Sequence, residues 1–254
     1  MKIIQSNLLN QFPNLTQGFT TKDNGNIAFH VNDSKIKVIQ NHKLVAIELS
    51  YDVARLIHMK QVHKTEVKVV QGSDNFYNSP TCDALITNKK NTPLMVMVAD
   101  CSPLLFYDSK KEVIAVVHAG RAGAFNDIVK ETLKSFRDDF TSAVKDIYVC
   151  VGPSIGECCY EVGSEIYDEA KELKLDFAIS QKQNSYFLNI SKILHKQLLQ
   201  NGIKKENIEF SSVCTACTTE NFFSYRAEGE TGRFAGLLML KETSENIRVI
   251  RGAL

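Results

Sequence analysis

The stretch Leu94–Gly123, LMVMVADCSPLLFYDSKKEVIAVVHAGRAG, is the most apolar part of the chain and also carries much of its reactive chemistry. Three apolar runs within it, Leu94–Ala99, Pro103–Tyr107 and Val113–Val117, are each bounded by polar or turn-forming residues. Runs of this length and composition predict core strands, and Ser109-Lys110-Lys111 predicts a hairpin connection between the last two. The fold is therefore expected to be built around this sheet.

Reactive side chains fall at the ends of these predicted strands. Cys101 follows the first run and His118 follows the third, so a thiol and an imidazole are expected at the rim of one buried sheet, where sites usually form. A structural cysteine would more often lie inside the run, and the small residues after His118 let backbone approach a ligand. We take Cys101 and His118 as the working pair. Asp100 is the candidate acid beside them, although its side chain could equally point inward to a backbone partner.

Composition restricts the class of protein. With 254 residues, no linker-like segment, 44% hydrophobic and 23% charged residues, the chain has an ordinary globular composition and is expected to form a single domain over 1–254. A net charge of +1 gives no overall electrostatic reason to bind nucleic acid or a membrane surface. Seven cysteines without a signal peptide indicate a reducing, cytoplasmic setting rather than a disulfide framework.

The remaining segments predict a mixture of strands and helices, hence an α/β (α+β) domain of mixed sheets flanked by helices. The helix predicted after Gly123 could hold an anion such as phosphate at its N-terminus, although every helix has such an end. Strands are expected at Gln17–Thr21, Leu56–Val62, Val67–Gln71, Ala84–Thr87, Ile147–Val151, Ile208–Val213, Phe222–Tyr225 and Phe234–Lys241, and helices at 34–49, Ala124–Phe136, Ser164–Leu173 and Ile190–Asn201.

The other cysteines give weaker signals. Cys214-Thr215-Ala216-Cys217 is a lone C-x-x-C, and without a second such pair or paired histidines both a structural zinc site and a redox pair are disfavoured. Adjacent Cys158 and Cys159 indicate core packing for at least one of the two. All cysteines outside the working pair are expected to be mostly unbridged, namely Cys82, Cys150, Cys158, Cys159, Cys214 and Cys217.

Several ordered motifs together carry a family resemblance. They are Lys60-Gln61-Val62-His63, Cys82-Asp83-Ala84-Leu85-Ile86-Thr87, Ala99-Asp100-Cys101-Ser102-Pro103, His118-Ala119-Gly120, Gly152-Pro153-Ser154-Ile155-Gly156, Cys158-Cys159-Tyr160-Glu161-Val162-Gly163, Phe222-Phe223-Ser224-Tyr225-Arg226 and Thr231-Gly232-Arg233. In this order they resemble the laccase-domain proteins, also called polyphenol oxidase or YfiH-like proteins and described as purine nucleoside phosphorylases. The likeness extends from Gly18 to the last strand.

The resemblance implies a metal site formed by His63, Cys101 and His118. His63 taken alone would more often be a surface or capping residue, so its assignment depends on the resemblance. Two imidazoles and a thiolate suit zinc, with copper possible, and three protein ligands leave a fourth position open, as in catalytic sites.

Two departures from the family pattern affect loops that are expected to face the substrate. The family usually has His-Ala-Gly-Trp-Arg-Gly where this chain has His118-Ala119-Gly120-Arg121-Ala122-Gly123, and a second arginine where this chain has Ala227. Arg121, Arg226 and Arg233 are the candidates for binding phosphate.

Three functions from different classes compete. The resemblance implies phosphorolysis of adenosine, inosine and methylthioadenosine with phosphate as co-substrate, and deamination of adenosine as a side activity of the metal site. A metal-free cysteine hydrolase would instead use Cys101 as nucleophile and His118 as base on amides or peptidoglycan precursors. A copper-dependent polyphenol oxidase needs further copper ions with their own ligands. The remaining histidines are too few for it: His30, His42, His58 and His195.

Overall fold

The structure, a computed structural model, describes residues 3–242. The predicted domain limits of 1 and 254 lie outside these residues. Along the described chain the order of elements is β1 (Leu15–Phe19), α1 (Lys35–Glu48), β2 (Ile57–His58), β3 (Val67–Val69), β4 (Ala84–Thr87), β5 (Leu94–Val98), β6 (Ser102–Asp108), β7 (Val113–Ala119), α2 (Arg121–Phe125), α3 (Ile128–Phe140), β8 (Ile147–Val151), β9 (Glu161–Val162), α4 (Ser164–Glu172), β10 (Ile179–Lys182), β11 (Ser185–Leu188), α5 (Ile190–Gln200), β12 (Ile208–Phe210), α6 (Tyr225–Glu228) and β13 (Phe234–Leu240).

The strands of the described residues form two large sheets and a small one. The larger sheet has the order β12-β8-β6-β7-β4-β3, and the second has the order β1-β13-β5-β2. Both are mixed, because β12–β8, β4–β3 and β5–β2 pair in parallel while their other neighbours pair antiparallel. A three-stranded antiparallel sheet, β10-β11-β9, completes the set.

The two large sheets pack face to face between helices. Alternate residues of β5 show this, since Leu94, Val96 and Val98 belong to the core between the sheets while Met95 and Met97 pack with residues of α1 on the outer face. On the other side, α3 and α5 cover the six-stranded sheet. Strands that are buried on both faces are apolar throughout, which explains the continuous hydrophobic runs. The predicted class, a mixed α/β single domain, is confirmed.

Several predicted elements need correction. The single helix expected at Ala124–Phe136 is two helices, because Asp127 adopts a left-handed φ of 56° and its side chain accepts from the Lys130 N–H to begin α3. The strand expected at Phe222–Tyr225 is wrong, since Ser224 instead caps α6. The helix predicted over 34–49 is present as α1, but its apolar residues Ile36 and Ile47 are 70% and 75% exposed.

Other differences concern strand lengths and missed strands. The strand predicted at Leu56–Val62 shrinks to β2, and the hairpin of β10 and β11 was not predicted. All seven cysteines are free, and Cys150 is buried in β8. Within residues 3–242, the helices are too short or too polar to cross a bilayer.

Candidate functional site

Cys101 lies where the chain passes from one large sheet to the other. β5 belongs to the four-stranded sheet and β6 to the six-stranded sheet. Cys101 directly precedes β6, which pairs with β7, the strand that carries His118. The crossing is tight, and Asp100 takes a left-handed φ of 86° in it. Such a conformation is uncommon for a residue other than glycine and often marks a functional segment.

The β6–β7 hairpin brings His118 to the same place. Its register pairs Pro103 with His118, so Cys101, two residues before Pro103, comes close to Gly120. A Cβ at Gly120 would stand only 3.1 Å from Cys101 Sγ and 3.2 Å from His63 Cδ2. The absence of a side chain at Gly120 therefore lets the thiol and the two rings approach one another.

His63 reaches the site from the loop that follows β2. Gln61 anchors this loop to the end of β5, donating from its Nε2 to the Met97 carbonyl (2.8 Å) and accepting from the Met97 N–H (3.0 Å). His63 itself has a left-handed φ of 58°, and its ring lies edge-on to that of His118 with a centroid separation of 4.7 Å.

Asp83 is a site residue whose role is not evident from the sequence. It is fully buried at the start of β4, and its carboxylate accepts from His118 Nδ1 at 2.8 Å and from the N–H groups of His63 (3.0 Å) and Lys64 (2.8 Å). A carboxylate can only accept, so Nδ1 carries a proton toward Asp83 and Nε2 is the ring nitrogen that remains for another partner. The same carboxylate thus orients the His118 ring, as is typical of metal-binding histidines, and fixes the backbone of His63.

The electrostatics of the group favour a charged thiolate. Burial alone would raise the pKa of Cys101, but the neighbouring imidazoles of His118 and His63 lower it to about 6. Burial likewise opposes protonation of His118, while Cys101 and Asp83 raise its pKa to about 9. The pKa of Asp83 lies below its ordinary value, since hydrogen bonds from His118 and backbone outweigh burial.

These residues suit a metal ion. One ligand atom from each of His63, Cys101 and His118 lies within 4.8 Å of the others, and the three side chains range from exposed to buried across the site. Two imidazole nitrogens and an anionic sulfur form a donor set that zinc and copper both accept. The structure therefore brings together the three predicted ligands, and the open side of the group faces a pocket.

The pocket beside this group has a volume of about 870 Å³. Its walls combine apolar side chains with all three predicted arginines. Arg121 is paired with the Glu169 carboxylate and so is partly neutralised. Arg226 and Arg233 instead donate to backbone carbonyls, Arg226 to that of Glu161 at 2.6 Å. The positive charge of the pocket walls therefore comes from Arg226 and Arg233 together with Lys60, which also lines the pocket.

Asp100 connects two segments of the chain through its carboxylate, the loop that carries Thr215 and the start of α6. Its carboxylate accepts from the Thr215 hydroxyl (2.7 Å) and from the Arg226 N–H (2.7 Å), one oxygen for each. This contact fixes the start of α6, and with it Arg226, beside the pocket. The geometry favours a positioning role for Asp100 over the acid role that the sequence analysis considered.

A second group of cysteines corrects the view that Cys214 and Cys217 form a lone pair. The structure brings Cys158 and Cys159 to them, and the four sulfur atoms lie within 4.8 Å of one another. The sequence separation of the two pairs concealed this, because neither pair has the spacing of a complete zinc motif.

Comparison with known proteins identifies the family. The family described as "Multi-copper polyphenol oxidoreductase laccase" matches residues 16–241. The chain is 30% identical to purine nucleoside phosphorylase YlmD of Bacillus subtilis over 89% of this chain and 88% of that protein. It is 32% identical to a purine nucleoside phosphorylase of Clostridium acetobutylicum, covering 88% and 91% respectively.

Solved structures agree with this assignment. The crystal structure of the hypothetical protein YfiH of Bacillus licheniformis superposes with a TM-score of 0.86 at 31% identity, covering 92% of this chain and 94% of that one. YlmD of Geobacillus stearothermophilus superposes with a TM-score of 0.85 at 28% identity, covering 91% and 93%. The chain belongs to the laccase-domain family, whose curated members among these relatives are named purine nucleoside phosphorylases.

Proposed function

We propose that this protein is a purine nucleoside phosphorylase that acts on adenosine, inosine and methylthioadenosine, with adenosine deaminase as a side activity. The observation that carries the proposal is a pocket of about 870 Å³ that is lined both by the His63–Cys101–His118 group and by two arginines that form no ion pair with a carboxylate among residues 3–242. A cavity of this size can hold a nucleoside together with phosphate.

The apolar walls provide a surface for the base. Met97, Val98 and Ile155 line the pocket beside the aromatic rings of Tyr160 and Tyr225. Tyr225 is 62% exposed, so its ring is available to stack on a planar heterocycle. A flat, largely apolar purine with a few polar edges matches such walls better than a flexible peptide does.

The arginines provide an anion site. Arg226 lies over the Tyr160 ring, with its guanidinium carbon 5.1 Å from the centroid, and Arg233 is held by the carbonyls of Thr231 and Gly232. Burial lowers the pKa of Arg233 from its ordinary value, yet the group remains a cation at neutral pH. Fixed guanidinium groups suit the bidentate binding of phosphate oxygens.

Phosphorolysis breaks the bond between the base nitrogen and C1′ of the ribose and forms a bond from C1′ to a phosphate oxygen. The proton that hydrogen phosphate gives up goes to the base nitrogen, so the products are free base and ribose 1-phosphate. The arginines would hold phosphate against C1′ and balance its charge. His63, Cys101 and His118 would hold the metal, which when bound supplies a Lewis acid with an open ligand position. Asp83 would keep the His118 ring and the backbone of His63 in place throughout.

Product analysis with adenosine tests the proposal. Purified protein incubated with adenosine and phosphate should release adenine and ribose 1-phosphate, and adenine should be absent without phosphate. Inosine formed without phosphate would support the deaminase activity. Adenine release that does not depend on phosphate would overturn the phosphorylase assignment.

A matched pair of variants tests the anion site. Arg226→Lys keeps the charge but loses the planar fork, so the KM for phosphate should rise about tenfold. Arg137→Lys, at an exposed arginine of α3 that pairs with Asp138, serves as the control and should leave this KM unchanged. Equal KM values in the two variants would remove Arg226 from the phosphate site.

A cysteine hydrolase is the second candidate, because the pKa of Cys101 falls to about 6 beside His118. A thiolate next to an imidazole is the arrangement that nucleophilic cysteines use. Covalent labelling by an amide or ester substrate at Cys101, retained after denaturation, would favour this candidate over the first.

A further inference from the structure

The four clustered cysteines come from two loops that leave neighbouring parallel strands. Cys158 and Cys159 follow β8, whereas Cys214 and Cys217 follow β12, and these strands pair in parallel at one side of the six-stranded sheet. The pairing continues past the strands as an isolated bridge between Ser154 and Cys214. The backbone of the sheet therefore sets the meeting point of the two cysteine pairs.

The four sulfur atoms lie close together. Cys217 Sγ lies 3.5 Å from Cys158 Sγ and 3.2 Å from Cys159 Sγ, and all four sulfurs lie within 4.8 Å of one another. Four thiolates at about 2.3 Å from a tetrahedral zinc ion would lie roughly 3.8 Å apart. The two Cys217 separations are a few tenths of an ångström shorter than that value, and none of the pairs is a disulfide bond.

The loops also supply groups that stabilise thiolates. The Gly156 N–H donates to Cys214 Sγ at 3.1 Å. A Cβ at Gly156 would stand 3.2 Å from Cys158 Sγ and 3.4 Å from Cys214 Sγ, so only glycine leaves both sulfurs unobstructed. Donors to ligand atoms of this kind orient metal ligands and stabilise their charge.

We propose that Cys158, Cys159, Cys214 and Cys217 bind a structural zinc ion, separate from the His63–Cys101–His118 group. Four protein ligands close the coordination shell, so this ion would bind no substrate. Binding of Zn²⁺ to four thiols releases up to four protons and involves no change of oxidation state. The ion would take no part in the chemistry of the reaction proposed above.

The ion would link a loop that lines the pocket to the loop that carries Thr215. Tyr160, the residue after Cys159, lines the pocket and lies under the Arg226 guanidinium. Thr215, between the other two cysteines, donates to the Asp100 carboxylate at 2.7 Å. A zinc ion at the cysteines would therefore hold in place the residues on which Arg226 and Asp100 rest.

Metal content of matched variants tests the site. Protein prepared under reducing conditions with zinc should hold about two ions per chain, and Cys214→Ser/Cys217→Ser should lose about one of them. The control Cys150→Ser alters a buried thiol of β8 outside both groups and should keep the full content. Unchanged zinc in the double variant would overturn the proposal.

Cobalt substitution tests the site without altering it. In His63→Ala/Cys101→Ser the first group has lost its thiolate, so any sulfur-to-cobalt charge-transfer absorption reports the cysteine cluster alone. Added Co²⁺ should give this absorption together with the visible bands of a tetrahedral ion, with about one ion bound per chain. Absence of the absorption in folded protein, or a Cys159–Cys217 disulfide in reduced preparations, would overturn the proposal.

Discussion

Replacing Asp83 by asparagine should weaken metal binding at His63, Cys101 and His118 while leaving the ligands in place. The carboxylate accepts from His118 Nδ1 and from three backbone N–H groups, which are those of Val62, His63 and Lys64. Asparagine offers one acceptor oxygen in place of two, and its amide nitrogen would face an N–H donor. The His118 tautomer would no longer be fixed.

The size of the effect follows from these contacts. Loss of an orienting carboxylate costs metal-binding histidines about 10–100-fold in affinity or activity, equivalent to about 1.4–2.7 kcal/mol. One charge-assisted hydrogen bond is also lost, and a buried N–H is left without an acceptor. Together these should lower the free energy of unfolding by about 2–4 kcal/mol. Both effects should appear in Asp83→Asn at neutral pH.

Two assays with a matched control separate the effects. Zinc affinity is measured by competition with a chromophoric chelator, and stability by urea unfolding of metal-free protein. Asp108→Asn is the control. Asp108 is as buried as Asp83, lies at the end of β6 far from Cys101, and accepts from the Lys110 and Lys111 N–H groups. It should lower stability and leave zinc affinity unchanged. Wild-type zinc affinity in folded Asp83→Asn would refute the reasoning.

Three further changes have defined outcomes. Cys101→Ser should reduce bound zinc and all nucleoside activities together, since a hydroxyl is a poorer ligand than a thiolate; full metal with only one reaction lost would instead identify a nucleophile. Gly120→Ala should reduce turnover about tenfold without loss of stability, as its Cβ would crowd Cys101 Sγ from 3.1 Å. Burial lowers the pKa of His42 from 6.5 to about 4. The contribution of His42 to the free energy of unfolding is therefore complete above pH 6.5, and about 3 kcal/mol of this free energy is lost as the pH falls to 4. His42→Gln should flatten the dependence of urea midpoints on pH in that range, and an unchanged slope would exclude His42 as its source.

The core of the fold could be predicted because strands that are buried on both faces are continuous apolar runs in the sequence. β4 and β8 begin and end at the predicted residues, and the three central strands differ by one or two residues at their ends. The strands β9, β10 and β11 do not contain such apolar runs. β10 ends in the exposed residues Gln181 and Lys182, so its pattern is that of a surface segment.

Pairing between distant strands explains what was missed at the site. Asp83 directly precedes a predicted strand, where a carboxylate is common, and nothing near it in sequence shows that it will meet a histidine. The β4–β7 register decides the matter by pairing Ala84 with Val117, so that Asp83 accepts from His118. Non-local contacts of this kind cannot be read from spacing along one segment.

The same reasoning applies to the cysteines, and it links the two candidate metal sites. Cys214 and Cys217 could be seen as half of a zinc site, but the other half depends on parallel pairing of β8 with β12. Thr215 lies between these two cysteines and donates to Asp100, the residue before Cys101. One hydrogen bond between buried side chains thus connects the cysteine loops to the strand crossing that carries the thiolate. Since buried polar pairs resist separation, an ion that fixes the cysteine loops also stabilises the backbone from which Cys101 projects.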